Sequence, residues 1–270
     1  MADDWNMPAG ELMRGKRGLV MGVANRDAIA WGVCRQLAAQ GAELALGYME
    51  ANEKRVKPLG ESIGAKVYAT YDATDDASME AMFAKVAEGF GTIDFLVHAI
   101  AYADRSQIKG SFVENATREG FLQAMNISAY SFVDASRRAA ALMPNGGSII
   151  TMTYLGSERA IPNYNTMGVA KAALEACVRY VARDLGPQGI RVNAVSPGAM
   201  RTLSLAGISG GRGLMAKGRG LSALKEDTTM EGVAGCSLWL LSDLGKSVAG
   251  EVVHVDAGFH MMGLPDAEEA

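Results

Sequence analysis

Gly18–Tyr48 reads GLVMGVANRDAIAWGVCRQLAAQGAELALGY. GLVMGVA (18–24) is a short, continuous apolar run, the pattern of a strand covered on both faces. AIAWGVCRQLAAQG, from Ala28, has the spacing of an amphipathic helix, and ELALGY (43–48) is a second apolar run. A strand, a helix and a strand with a crossover of this length imply that the two strands lie parallel.

The same alternation continues to the end of the chain. KVYATYD (66–72), IDFLVHAIA (93–101), SIITMTYL (148–155), IRVNAVS (190–196) and EVVHVDA (251–257) read as five further strands. Helical patterns lie near 51–63, 75–90, 117–143, 163–185 and 229–242. The expected fold is α/β: a doubly wound, Rossmann-type, seven-stranded parallel sheet with helices on both faces, forming a single domain over residues 1–270.

The turn between the first strand and helix lacks G-x-G-x-x-G and has glycines only at Gly22 and Gly32. It still offers backbone N–H groups and the positive end of a helix dipole, which suit a pyrophosphate. Gly32, one turn into the helix, is expected to let that helix pack closely on the sheet. By itself the turn would equally suit an α/β protein that binds no nucleotide.

Composition narrows the class. The chain has 270 residues, 49% of them hydrophobic and 21% charged, with a net charge of −4. This balance gives no general attraction to nucleic acid or to an anionic membrane. MADDWNMPAGELMRGKRG at the start lacks the basic opening and apolar run of a signal peptide. No apolar segment reaches the roughly 20 residues of a membrane span, so a cytoplasmic protein is expected. Cys34, Cys177 and Cys236 form no C-x-x-C pair and read as buried, reduced thiols. His98, His254 and His260 have no ligand spacing, and no metal site is expected.

One interval breaks the rhythm. AMRTLSLAGISGGRGLMAKGRGLSALKE, from Ala199 to Glu226, carries Gly207, Gly210, Gly211, Gly213, Gly218 and Gly220. Long irregular segments at the carboxyl end of a strand tend to be functional lids; a substrate lid is expected near 199–227.

YLGSERAIPNYNTMGVAK (154–171) holds the chemistry. Tyr164 and Lys171 are almost two helical turns apart, so they share a face about 10 Å apart along the axis, with Met167 between them. A phenol donates a proton to a developing oxyanion, and a nearby lysine stabilises the charge while reaching a ribose.

With Tyr164, Met167 and Lys171 in the widened Tyr-x-x-Met-x-x-x-Lys pattern and Tyr154 ten residues upstream, the chain resembles the enoyl-acyl-carrier-protein reductase branch of the short-chain dehydrogenase/reductase superfamily. The likeness runs from GKRGLVMGVA through TREGF, RAIPNYNTMGVAKAALEACVRY and GPQGIRVNAVS to SDLGKSVAGEVVHVDAGF. It implies reduction of trans-2-enoyl-acyl-carrier-protein thioesters by NADH in bacterial fatty-acid elongation. A diverged carbonyl or imine reductase and a non-catalytic dinucleotide-binding assembly protein are the alternatives, the first suggested by a departure at the opening turn. The family's Gly-x5-Ser-x-Ala-x-Gly is matched at Gly22, Ala30 and Gly32, but Ala28 stands where serine is usual, and Asp27 adds negative charge beside it.

The resemblance also implies the site. Tyr154, Tyr164 and Lys171 are the catalytic candidates. Gly22, Ala28 and Ile29 would hold the pyrophosphate, and Asp72 and Ala73 the adenine. Ala99, Ile100 and Ala101 would line the way to the nicotinamide, which Met200, Arg201, Thr202, Leu203 and Ser204 would cover. Met49, followed by Glu50, favours NADH over NADPH, since a 2′-phosphate would be repelled. Tyr102, Ala103, Met167 and Ile208 are expected, with the two tyrosines, to wall the acyl pocket. Acyl carrier protein is the implied partner, facing the basic Arg201, Arg212, Lys217, Arg219 and Lys225 of the lid, and a homotetramer is the implied assembly.

Overall fold

A computed structural model of the chain describes residues 7–202 and 211–263. The strands are β1 (Arg17–Met21), β2 (Glu43–Tyr48), β3 (Val67–Thr70), β4 (Phe95–His98), β5 (Gly147–Met152), β6 (Ile190–Pro197) and β7 (Val252–Val255). They form one sheet in the order β3-β2-β1-β4-β5-β6-β7, parallel throughout. This is the expected α/β Rossmann-type architecture, with several strands ending sooner than their apolar runs.

The continuous apolar strands feed two cores, because successive side chains point to opposite faces. Leu19, Leu96, Ile149 and Val192 enter one core, shared with α3 (Asp76–Phe90), α6 (Ser131–Ala141) and α7 (Asn165–Leu185). Val20, Val97, Ile150 and Val195 enter the other, beneath α1 (Ile29–Ala39), α2 (Glu53–Ser62) and α9 (Met230–Leu241).

Four expectations need correction. Gly32 serves helix–helix packing: a Cβ there would lie 2.3 Å from Met230 Sδ, so the glycine admits α9 against α1. The helix expected over 117–143 is divided into α5 (Arg118–Met125), a π-helical turn (Asn126–Tyr130) and α6. In that turn Ser131 Oγ donates to the Ile127 carbonyl at 2.6 Å, a side-chain bond that competes with the regular ladder. The glycine-rich interval contains a helix, α8 (Gly211–Leu221), since leucine, methionine, alanine, lysine and arginine between its glycines are strong helix formers. Of the three thiols only Cys34 is buried; Cys177 and Cys236 are half-buried. A short α4 (Phe112–Asn115) precedes α5. Among the described residues no helix is long and apolar enough to cross a membrane.

Candidate active site

After β1 the chain crosses to β2 and β3 on one side, then returns to β4 on the other. Side connections diverge at this switch point, leaving a crevice at the carboxyl ends of the strands. A cleft of about 310 Å³ occupies it, lined from the ends of β1, β4, β5 and β6.

Gly22 makes the floor possible. Its φ is +97°, and a Cβ would sit 2.2 Å from the Ala99 carbonyl oxygen, so only glycine allows β1 and β4 to meet here. Ala28 is the N-cap of α1 and supplies no side-chain hydrogen bond, and the first turn of α1 contains no acid. The helix end therefore keeps its amide donors and positive dipole available to an anion. Asp27 is exposed and lies outside the cleft lining; its N–H donates to Asn25 Oδ1 at 2.9 Å. The glycine floor and this helix end fit a dinucleotide pyrophosphate.

At the other end of the cleft, β5 runs into Thr153 and Tyr154, while Tyr164 and Lys171 come from the start of α7. The rings of Tyr154 and Tyr164 meet edge to face, with centroids 4.9 Å apart. Burial raises the Tyr164 phenol well above its ordinary range, reinforced by Tyr154 and Glu175. Burial and then Asp256 push Tyr154 up to about 12. Both are neutral hydrogen-bond donors at physiological pH. Lys171 is 4% exposed, and its Nζ donates to the Met152 carbonyl at 2.7 Å. Burial lowers its pKa to about 8, against an opposing pull from Glu175. Glu175 is itself buried and accepts a hydrogen bond from Thr153 Oγ1.

The cleft brings together Tyr154, Tyr164 and Lys171. Of the cofactor candidates, Gly22, Ala28, Ile29 and Met49 line one part; Ala99, Ile100, Ala101, Met200 and Thr202 line the rest. Asp72 and Ala73 do not line it. The Asp72 carboxylate accepts from Thr74 N at 2.8 Å and Thr74 Oγ1 at 2.7 Å, closing a turn, and these bonds hold its pKa below the usual range. Ala73 packs against the core. Arg201 is exposed and outside the lining. Leu203, Ser204 and Ile208 lie outside the described residues.

Of the acyl-pocket candidates, Ala103 and Met167 pack with Tyr154 and Tyr164 in a small apolar cluster beside the cleft. Tyr102 is 46% exposed and outside the lining. Sequence reasoning missed Asn25, Asn52, Tyr71 and Thr153, all of which line the cleft. Tyr71 and Thr153 each precede a residue singled out from the sequence, and their places at strand ends were the available signal. Tyr71 is buried beside the Gly22 floor, and desolvation raises the pKa of its phenol.

Residues 22–260 match the profile of a family described as "Enoyl-(Acyl carrier protein) reductase". The chain is 48% identical over 258 residues to enoyl-[acyl-carrier-protein] reductase [NADH] 2 of Rhizobium meliloti strain 1021, covering 95% of this chain and 96% of that protein. It is 44% identical over 253 residues to the NADH-dependent enoyl-[acyl-carrier-protein] reductase of Rickettsia felis, covering 93% and 97%. The solved Anaplasma phagocytophilum enoyl-(acyl-carrier-protein) reductase, in complex with NAD, superposes with a TM-score of 0.93 at 47% identity, covering 97% of this chain and 100% of that one.

Proposed function

The chain belongs to the enoyl-(acyl carrier protein) reductase family, and we propose that the cleft at the ends of β1, β4, β5 and β6 is its active site. The enzyme reduces trans-2-enoyl thioesters of acyl carrier protein with NADH, an oxidoreductase acting on a CH–CH bond. When bound, NADH supplies the hydride that adds to C3 of the enoyl chain. What carries the reading of the site is the convergence of Tyr154, Tyr164 and Lys171 on the cleft floored by Gly22.

Negative charge grows on the thioester oxygen as hydride arrives, and a donor aimed there lowers the barrier. Tyr164 is that donor, held neutral by burial so that it gives a hydrogen bond rather than repelling the enolate. Tyr154, edge to face against it, shapes the pocket and aids proton supply. Lys171, which donates to the Met152 carbonyl, would hold the nicotinamide ribose of bound NADH. Gly22, Ala28 and Ile29 would hold the pyrophosphate, and Thr202 would be the polar anchor for the nicotinamide. Ala103 and Met167 wall the acyl chain.

A crotonyl thioester and NADH test this directly. Tyr164→Phe should lower kcat by roughly 10²–10³-fold, the cost of losing one oxyanion donor, while NADH titration stays within about threefold. Unchanged turnover would remove Tyr164 from the mechanism.

We read residues 1–270 as one domain, since all seven strands share one sheet, with 199–227 as its lid. The carrier protein docks beside α8, where Lys217 and Arg219 are exposed, although Arg219 already faces Asp227 at 3.4 Å. A cytoplasmic setting agrees with the unpaired thiols of Cys34, Cys177 and Cys236. A homotetramer agrees with the exposed Leu122, Tyr130 and Val133 around α5 and α6, and Val169 and Tyr180 on α7.

A further inference from the structure

Tyr164 stands between two asparagines in left-handed conformations, Asn163 with φ +63° and Asn165 with φ +41°. Only Lys225 and Ala257 share this trait among the other described non-glycine residues. Two such residues around one tyrosine persist only when the surroundings over-determine them, and asparagine is among the few side chains that tolerate the region. Their side chains converge on one point. Asn163 Oδ1 accepts from Gly110 N at 3.0 Å, and Asn165 Nδ2 donates to Gly110 O at 3.1 Å.

Gly110 belongs to a segment with its own internal ties. Asn115 Nδ2 donates to the Lys109 carbonyl at 2.7 Å, and Gln107 Nε2 donates to the Asn115 carbonyl at 3.0 Å. The two asparagines thus fasten the Tyr164 turn to a bonded segment 53 residues or more away in sequence. On the other side, the Tyr164 ring lies where a side chain at Gly156 would stand, 2.3 Å from a Cβ built there. The ring is closed in by Gly156 backbone behind and by Tyr154 at 4.9 Å. The backbone that carries it is held from Gly110.

We propose that Asn163 and Asn165 are positioning residues for the reduction: by gripping both polar groups of Gly110, they set the direction of the Tyr164 hydroxyl. The proposal rests on Tyr164 being the oxyanion donor. A small displacement of a reacting group is costly, about 10²-fold for 1 Å. The bonds that Asn163 and Asn165 make to Gly110 lie away from the pyrophosphate turn and from Lys171, so the expected effect is on turnover rather than on NADH affinity.

A double-mutant cycle separates this from a structural role. Asn163→Gly and Asn165→Gly retain the left-handed backbone without steric cost and delete the grip on Gly110. In otherwise native enzyme each should lower kcat about tenfold or more with crotonyl thioester, with NADH affinity within about threefold. In the Tyr164→Phe background, where no hydroxyl remains to aim, the same changes should alter kcat less than about twofold. Equal losses in both backgrounds would overturn the proposal.

Aspartate variants supply a second measure. Asn165→Asp removes the donor to Gly110 O and should fall with Asn165→Gly, whereas Asn163→Asp keeps the acceptor and should lose less than Asn163→Gly; the opposite ranking counts against the grip. If Tyr164→Phe alone leaves kcat intact, the reading of Tyr164 fails and this inference fails with it. An impaired Tyr164→Phe with additive asparagine losses overturns the inference alone.

Discussion

Lys171 is a buried ammonium whose pKa is lowered to about 8, chiefly by desolvation. The unfolded chain holds its proton up to about 10.4, so between these values the unfolded state binds more protons and stability rises with pH; the cost of the buried charge is fully present below 8. Cofactor binding has the opposite sign. A pyrophosphate in the cleft favours the charged lysine, so NADH binding above pH 8 takes up a proton. The Kd for NADH should weaken by up to about tenfold per pH unit above 8, and fluorescence titration should show this dependence vanishing in Lys171→Met. At this scale Tyr164 and Lys171 were legible from their spacing at the opening of α7, although Tyr164 is the N-cap and stands just outside the helix. Asn163 and Asn165 were not, because a positive φ and a bond to distant backbone leave no spacing in the sequence. Asp72 ends a strand, as an adenine contact would, and one oxygen of its carboxylate is engaged by Thr74.

The first helix shows what an element adds to a residue. Ala28 is the N-cap of α1, in extended backbone and without a side-chain acceptor for the free amides. Ala28→Ser should stabilise the fold by about 1 kcal/mol through capping and tighten NADH binding through a further donor to phosphate. Thermal unfolding and NADH titration check the two effects separately; a gain in stability without a gain in affinity would mean that the hydroxyl turns to the helix instead. Elements were the most legible level, since apolar runs and helical spacing revealed all seven strands. The departures have local causes that periodicity does not register. Ser131 bonding back to Ile127 accompanies the π turn, and good helix formers between glycines yield α8.

At the scale of the whole molecule, apolar side chains remain uncovered. Leu122 is 60% and Tyr180 70% exposed, on helices that already bury their opposite faces in a core. Sedimentation at micromolar concentration should give a single species of four chains. Replacing Leu122 and Val133 with glutamate should shift it to smaller species; a monomer before any substitution would refute the assembly. Little in the sequence indicated which helix faces remain open, because periodicity distinguishes apolar from polar positions but not a core from an interface. The meeting of Gly22 with the Ala99 carbonyl has a consequence for folding. These residues are 77 positions apart, and the cleft above them also needs Lys171 and Pro197. The cleft forms only after these distant segments have come together, so NADH binds the folded chain and, by mass action, withdraws molecules from the unfolded population. Added NADH should accordingly slow proteolysis of the enzyme, which limited digestion with and without the cofactor would measure.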